Sequence, residues 1–157
     1  MINLRTLLLA LTACAGLGAQ CVPGGLAVVV PKASATNGLS MAQLRKLVMG
    51  DVHTWPDKSK VTLVSTDSEG AVFKCVLTSV VRMTPPEYKK YVMSAEFRGD
   101  EPAHVRVVDS SAAAVRTVAV SAGSFSVVEA SALATVGGLV KVLSINGKQP
   151  GEPGYPL

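Results

Sequence analysis

SMAQLRKLVMGDVHTWPDKSKVTLVSTDSEGAVF, residues 40–73, is the stretch whose reading decides the fold. Met41, Leu44, Leu47 and Val48 recur at the three- and four-residue spacing that places them on one helical face, with Gln43, Arg45 and Lys46 opposite. Both ends of this helix are punctuated. Ser40 is placed to accept the amide of Gln43 while the Gln43 side chain reaches back to the Ser40 amide, and Gly50 offers the left-handed conformation that closes a helix. The chain then turns into Trp55-Pro56-Asp57, which carries the only tryptophan, and the run Val61–Val64 has the composition of a strand. Ser65 to Gly70 is polar, and a second helical pattern runs from Ala71 to Leu77. Trp55 is expected to pack on the face made by Leu44, Leu47 and Val48.

Working outward, Leu26 to Val30 is a continuous apolar run of strand length, as a strand covered on both faces requires, and Pro31 ends it. Residues 32–38 read as a polar loop. Downstream, Thr84-Pro85-Pro86-Glu87 starts a helix, with Thr84 as cap, Pro85 in the first turn and Glu87 three residues on. Tyr88, Tyr91 and Val92 supply its inward face. Residues 97–104 read as irregular, 105–108 as a short strand, and Asp109 or Ser110 caps a helix over 111–120. Two more strands are expected over 123–128 and 139–145, and 147–157, with three prolines and three glycines, reads as an extended tail. Strands alternating with helices argue an α/β layer fold.

At 157 residues, 48% of them hydrophobic and 17% charged, the chain has the size and composition of one globular domain. The net charge of +4 is spread without runs, and aromatic residues make up 4%, so the basic stripe with stacking aromatics that nucleic-acid binding uses is missing. Met1 to Gln20 has one charge, Arg5, then an apolar run from Leu7 to Leu11 and small residues ending in Gly18-Ala19-Gln20. That pattern is a secretory signal, too short in its apolar run to span a membrane. Export places the mature domain, residues 24–157, in the periplasm or outside the cell. Ala19 suits an ordinary cleavage, whereas Leu11-Thr12-Ala13-Cys14 resembles the lipobox of bacterial lipoproteins, which makes Cys14 a candidate lipidation site and the only expected route to a membrane. Either route leaves Cys21 and Cys75, which in an oxidising compartment are a candidate disulfide. The other reading keeps Cys75 as a small buried hydrophobe.

Enzyme signatures are not found. His53 and His104 lack metal-site spacing, and Ser124 and Ser126 follow Gly123 without the second glycine of a nucleophile elbow. Asp67 and Glu69 stand at a helix start, where capping and the helix dipole account for them. No metal, cofactor or nucleic-acid partner is expected.

Leu44, Leu47-Val48, Gly50 and Trp55 together form a pattern that resembles the phosphate-binding periplasmic protein family. The strand and polar loop that follow, Phe73 and Leu77 four apart, Phe97-Arg98-Gly99 with Pro102, the Ala122-Gly123 turn and the closing Tyr155-Pro156-Leu157 continue the likeness from about Leu26 onward. The resemblance implies one lobe of the type 2 periplasmic-binding-protein fold, a mixed sheet flanked by helices. It implies an exported substrate-binding-protein-like domain linked to phosphate or oxyanion uptake, without enzymatic activity. It also places the ligand at the loop after the strand, with Thr66, Ser68 and Gly70 as the contacts to carry over. There this sequence departs from the family. The family's Ser-Gly-Thr run reads Ser68-Glu69-Gly70-Ala71, no arginine lies between Lys60 and Lys74, and Glu69 brings negative charge. Weak phosphate or oxyanion binding is therefore expected. The competing expectation is a single-lobe interaction module for a protein partner in the envelope that has lost the ligand.

Overall fold

A computed structural model describes Cys21 and residues 25–67, 70–101 and 103–157. The expectations for residues 1–20, Cys14 among them, and for Ser68, Glu69 and Pro102 lie outside the described residues. The strands are β1 (Leu26–Pro31), β2 (Gly38–Leu39), β3 (Thr62–Thr66), β4 (Val105–Val108), β5 (Ser124–Glu129), β6 (Val140–Val142) and β7 (Ser144–Ile145). The helices are α1 (Met41–Met49), α2 (Ala71–Val76), α3 (Pro85–Phe97), α4 (Ser111–Val120) and α5 (Leu133–Val136).

One sheet has the order β4-β3-β5-β1-β6. β3 runs parallel to β4 and β5, while β1 runs antiparallel to both of its neighbours, β5 and β6. The unbroken apolar sequence of β1 follows from this central place. Leu26, Val28 and Val30 join the core on one face with α1 and α2, and Val29 joins the core on the other with α4 and α5. The result is a mixed sheet flanked by helices, and the expected fold class holds.

Local signals set most boundaries. α1 has the expected capping box, Ser40 accepting from the Gln43 amide at 3.1 Å and the Gln43 side chain accepting from the Ser40 amide at 2.8 Å, and it closes on Gly50 at φ 79°. α3 opens on the Thr84–Glu87 box with Pro85 in its first turn. Its inward face is only half-buried. The Tyr88 hydroxyl donates to the Val48 carbonyl at 3.0 Å and its ring meets Phe73 edge-on at 5.8 Å. α4 is capped by Ser110, which accepts from the Ala113 amide.

Three expectations are corrected. The run 139–145 is two strands: Leu143 is buried and still donates to the Val28 carbonyl, but beyond it β7 leaves the large sheet to pair in parallel with β2. The second helix starts at Ala71 as expected, but its cap is Gly70, with no side-chain bond, rather than Asp67 or Glu69, and it passes at Leu77 into a π-helical turn, Leu77–Val81, that buries Leu77, Val80 and Val81. The tail is not extended. Residues 146–154 fold into turns that return Tyr155 and Leu157 to the core formed with α1 and α2.

The Tyr155 hydroxyl is buried without a hydrogen-bond partner among the described residues, and burial pushes its pKa up to about 12. A folded-state pKa above the ordinary phenol value means that the neutral ring's contribution is intact below about pH 10 and is lost as pH rises towards 12. Tyr155→Phe removes an orphaned donor while keeping the ring, so it should stabilise the fold by about 1 kcal/mol. It should also flatten the alkaline decline. Urea melts at neutral and alkaline pH test both, and a variant less stable than wild type at neutral pH would contradict them.

Candidate functional site

The loop singled out in the sequence leaves the carboxyl end of β3. β3 leads out to β4 on one side of the sheet, whereas β5, its parallel neighbour, leads on to β6 on the other. Their connections therefore part at the carboxyl ends, and in open α/β sheets such a switch point forms the crevice in which ligands sit. The two strands also separate there. β3 and β5 pair at Thr62 with Ser124 and Leu63 with Phe125, and beyond that the Ser126 hydroxyl bridges them by donating to the Val64 carbonyl at 2.6 Å.

Thr66 and Gly70 border one tight turn in this place. Thr66 is half-buried, and its hydroxyl has no hydrogen-bond partner among the described residues. The Gly70 amide is engaged: it donates to the Asp67 carbonyl at 2.8 Å. A Cβ on Gly70 would come within 2.9 Å of that same oxygen, so the close approach explains the glycine. Of the contacts carried over from the family, Thr66 has a free hydroxyl, Gly70 has a committed amide, and Ser68 lies outside the described residues.

Sequence reasoning put Ser65 in the polar loop, whereas it lies inside β3, and set Ser126 aside as a non-nucleophile. Both are buried, and the Ser65 hydroxyl donates to the Thr66 carbonyl at 2.9 Å. Serines within otherwise apolar strands were the available signal. Ser124 has another task, donating to the Ser121 carbonyl at 2.5 Å.

Cys21 and Cys75 form a disulfide with a Cα separation of 5.4 Å. It joins the chain just before β1 to α2, the helix that follows the candidate loop.

Larger clefts lie elsewhere. Trp55 lines two of them, of about 310 and 570 Å³, near the amino ends of β3 and β5. Its Nε1 donates to the Gly123 carbonyl at 2.8 Å, and its ring meets Phe125 edge-on at 6.2 Å. It shares a core with Leu44, Leu47 and Val48, as expected, but its specific contacts are to the turn and strand around Gly123. A third cleft, about 370 Å³, lies between Asp51, Tyr91 and Arg98. Its charges are largely internal, with the Tyr91 hydroxyl donating to Asp51 at 3.0 Å and Arg98 paired with Asp100 at 3.0 Å. Hydrogen bonds from His104 and Lys60 hold the neighbouring Glu101 carboxyl below its ordinary value. Among the described residues, no group of three or more metal-ligating side chains occurs.

No protein-family model and no curated protein matches the chain. Solved structures do. The chain is similar to PstS from Borrelia burgdorferi, at a TM-score of 0.66 and 13% identity over 80% of this chain and 49% of that one. It is similar to an ABC-type phosphate transport receptor from Vibrio cholerae, at 0.59 and 17% over 80% and 48%. It is also similar to a phosphate ABC transporter substrate-binding protein with bound phosphate from Clostridium perfringens, at 0.56 and 13% over 80% and 46%. The chain thus spans about half the length of each. At such identities the likeness is one of fold, and the described residues have the fold of a single lobe of a type 2 periplasmic binding protein.

Proposed function

We propose that residues 24–157 form an exported, phosphate-binding-protein-like domain linked to phosphate or oxyanion uptake, with the anion contacted weakly at Thr66, Ser68 and Gly70. The observation that carries this reading is the match of 80% of the chain to solved phosphate transport proteins, with the loop after β3 at the switch point of the sheet. The weakness follows from chemistry. A dianion drawn from water needs several charge-assisted donors. This loop has no arginine, and its Gly70 amide already serves Asp67.

Export rests on Arg5 and the apolar run after it, with processing before Gln20 or at Cys14. The Cys21–Cys75 disulfide supports it, because such bonds persist in oxidising compartments. An exporting host should yield a mature chain whose intact mass lacks the first residues, and an N-terminus at Met1 would count against the reading.

Titration with inorganic phosphate, followed by NMR amide shifts, tests the binding. The expected result is saturable binding with a Kd of about 1 mM or weaker, worth about 4 kcal/mol or less, with shifts centred on Thr66 and Gly70. Shifts centred elsewhere would move the site. No shift at tens of millimolar, or micromolar binding, would overturn the proposal in opposite directions, the first favouring an interaction module without an anion.

A further inference from the structure

β4 is the outermost strand on its side of the sheet, and among the described residues no strand pairs with its outer edge. Its inner edge is fixed by the parallel ladder to β3, in which Leu63 faces Val105 in register and the Leu63 amide donates to the His104 carbonyl at 2.8 Å. In such a ladder alternate residues turn their amide and carbonyl towards the neighbour. His104, Arg106 and Val108 therefore face β3, and the backbone groups of Val105 and Val107 point outward. The same two side chains are unusually open for valine, 46% and 62% exposed, on the sheet face of Leu63 and Ser65. An open row of donors and acceptors beside apolar side chains is a template for a further strand.

Arg106, between them on the opposite face, decides which strand. It is exposed and forms no ion pair among the described residues. A second copy pairing antiparallel with Val105 opposite Val107 would set Arg106 against its own image, and like charges directly opposite are destabilising. We propose that β4 is a docking edge for an extended segment of a partner protein, added as a sixth strand, with aliphatic residues beside Val105 and Val107 and a carboxylate beside Arg106. The main-chain bonds supply affinity and the arginine supplies selectivity, as in strand addition generally. This site is separate from the loop after β3 and does not depend on anion binding there.

Two blocked peptides, TVEVT and its lysine counterpart TVKVT, test the proposal against the isotope-labelled full chain. The glutamate peptide should shift the Val105 and Val107 amides and bind at least about fivefold more tightly than the lysine peptide at low salt, where exposed charges are least screened. Arg106→Glu should invert that order. Val107→Pro should abolish binding of both peptides with an unchanged melting temperature, because it removes an outward amide that β3 does not use. If Val107→Pro unfolds the chain, the inversion by Arg106→Glu still decides. Equal affinity for the two peptides, shifts away from β4, or no shift at the solubility limit would overturn the proposal. So would concentration-dependent self-association that protects the Val105 and Val107 amides, which would give the edge to a second copy.

Discussion

Trp55→Ala should lower the stability of the fold by about 3–5 kcal/mol, the range for truncating a buried large aromatic. The indole is 9% exposed, and three attachments go with it: its place in the core with α1, the edge-on contact with Phe125 and the hydrogen bond to the Gly123 carbonyl. The last loss adds little by itself, because the Gly123 carbonyl still accepts from the Thr62 amide at 3.2 Å and is not left unpaired. Urea melts followed by circular dichroism measure the loss, and Trp55→Phe should fall between wild type and alanine because it keeps a ring and drops the donor. A loss below about 1 kcal/mol for alanine, as unburied positions give, would show that the indole does not anchor the turn.

Opening the disulfide should have an effect of similar size. Cys21 and Cys75 are 54 residues apart in sequence, and closing a loop of that length restricts the unfolded chain by about 4 kcal/mol in the chain-entropy account. Cys21→Ala is the cleaner variant, because Cys75 is the more buried partner and stays in place. Reductant should lower the wild-type unfolding midpoint to near that of Cys21→Ala and leave the variant's midpoint where it was. A variant as stable as the oxidised wild type would mean that the loop between the two cysteines is already ordered in the unfolded chain.

The elements legible in the sequence are those whose signals are local. Ser40 with Gln43 and Gly50, Thr84 with Pro85 and Glu87, and Ser110 carry their own stereochemistry, so α1, α3 and α4 begin where the residues say. The apolar run of β1 announced two covered faces for the same reason. What escaped depends on partners distant in sequence. Nothing near Leu143 says that β7 will leave for β2, and nothing in a segment rich in proline and glycine says that Tyr155 and Leu157 will be buried. The candidate loop was half legible. Its place after β3 and its lack of arginine could be read directly, but the use of the Gly70 amide by the Asp67 carbonyl is a matter of loop geometry.

The position of β1 has a consequence for the order of assembly. Leu26 is in register with Glu129, and Val29 faces both Ser126 and Val142. Among the described residues, β1 thus precedes both of its neighbours by about a hundred residues. Until β5 and β6 exist, β3 and β4 can pair but the most apolar segment of the sheet has no ladder to join, and such distant pairings slow folding because the intervening chain must first be gathered. A nascent chain cut before β5 would therefore expose Leu26 to Val30 to any binder of unfolded segments, and the two halves of the sheet on either side of β1 can join it only once β5 and β6 have been made.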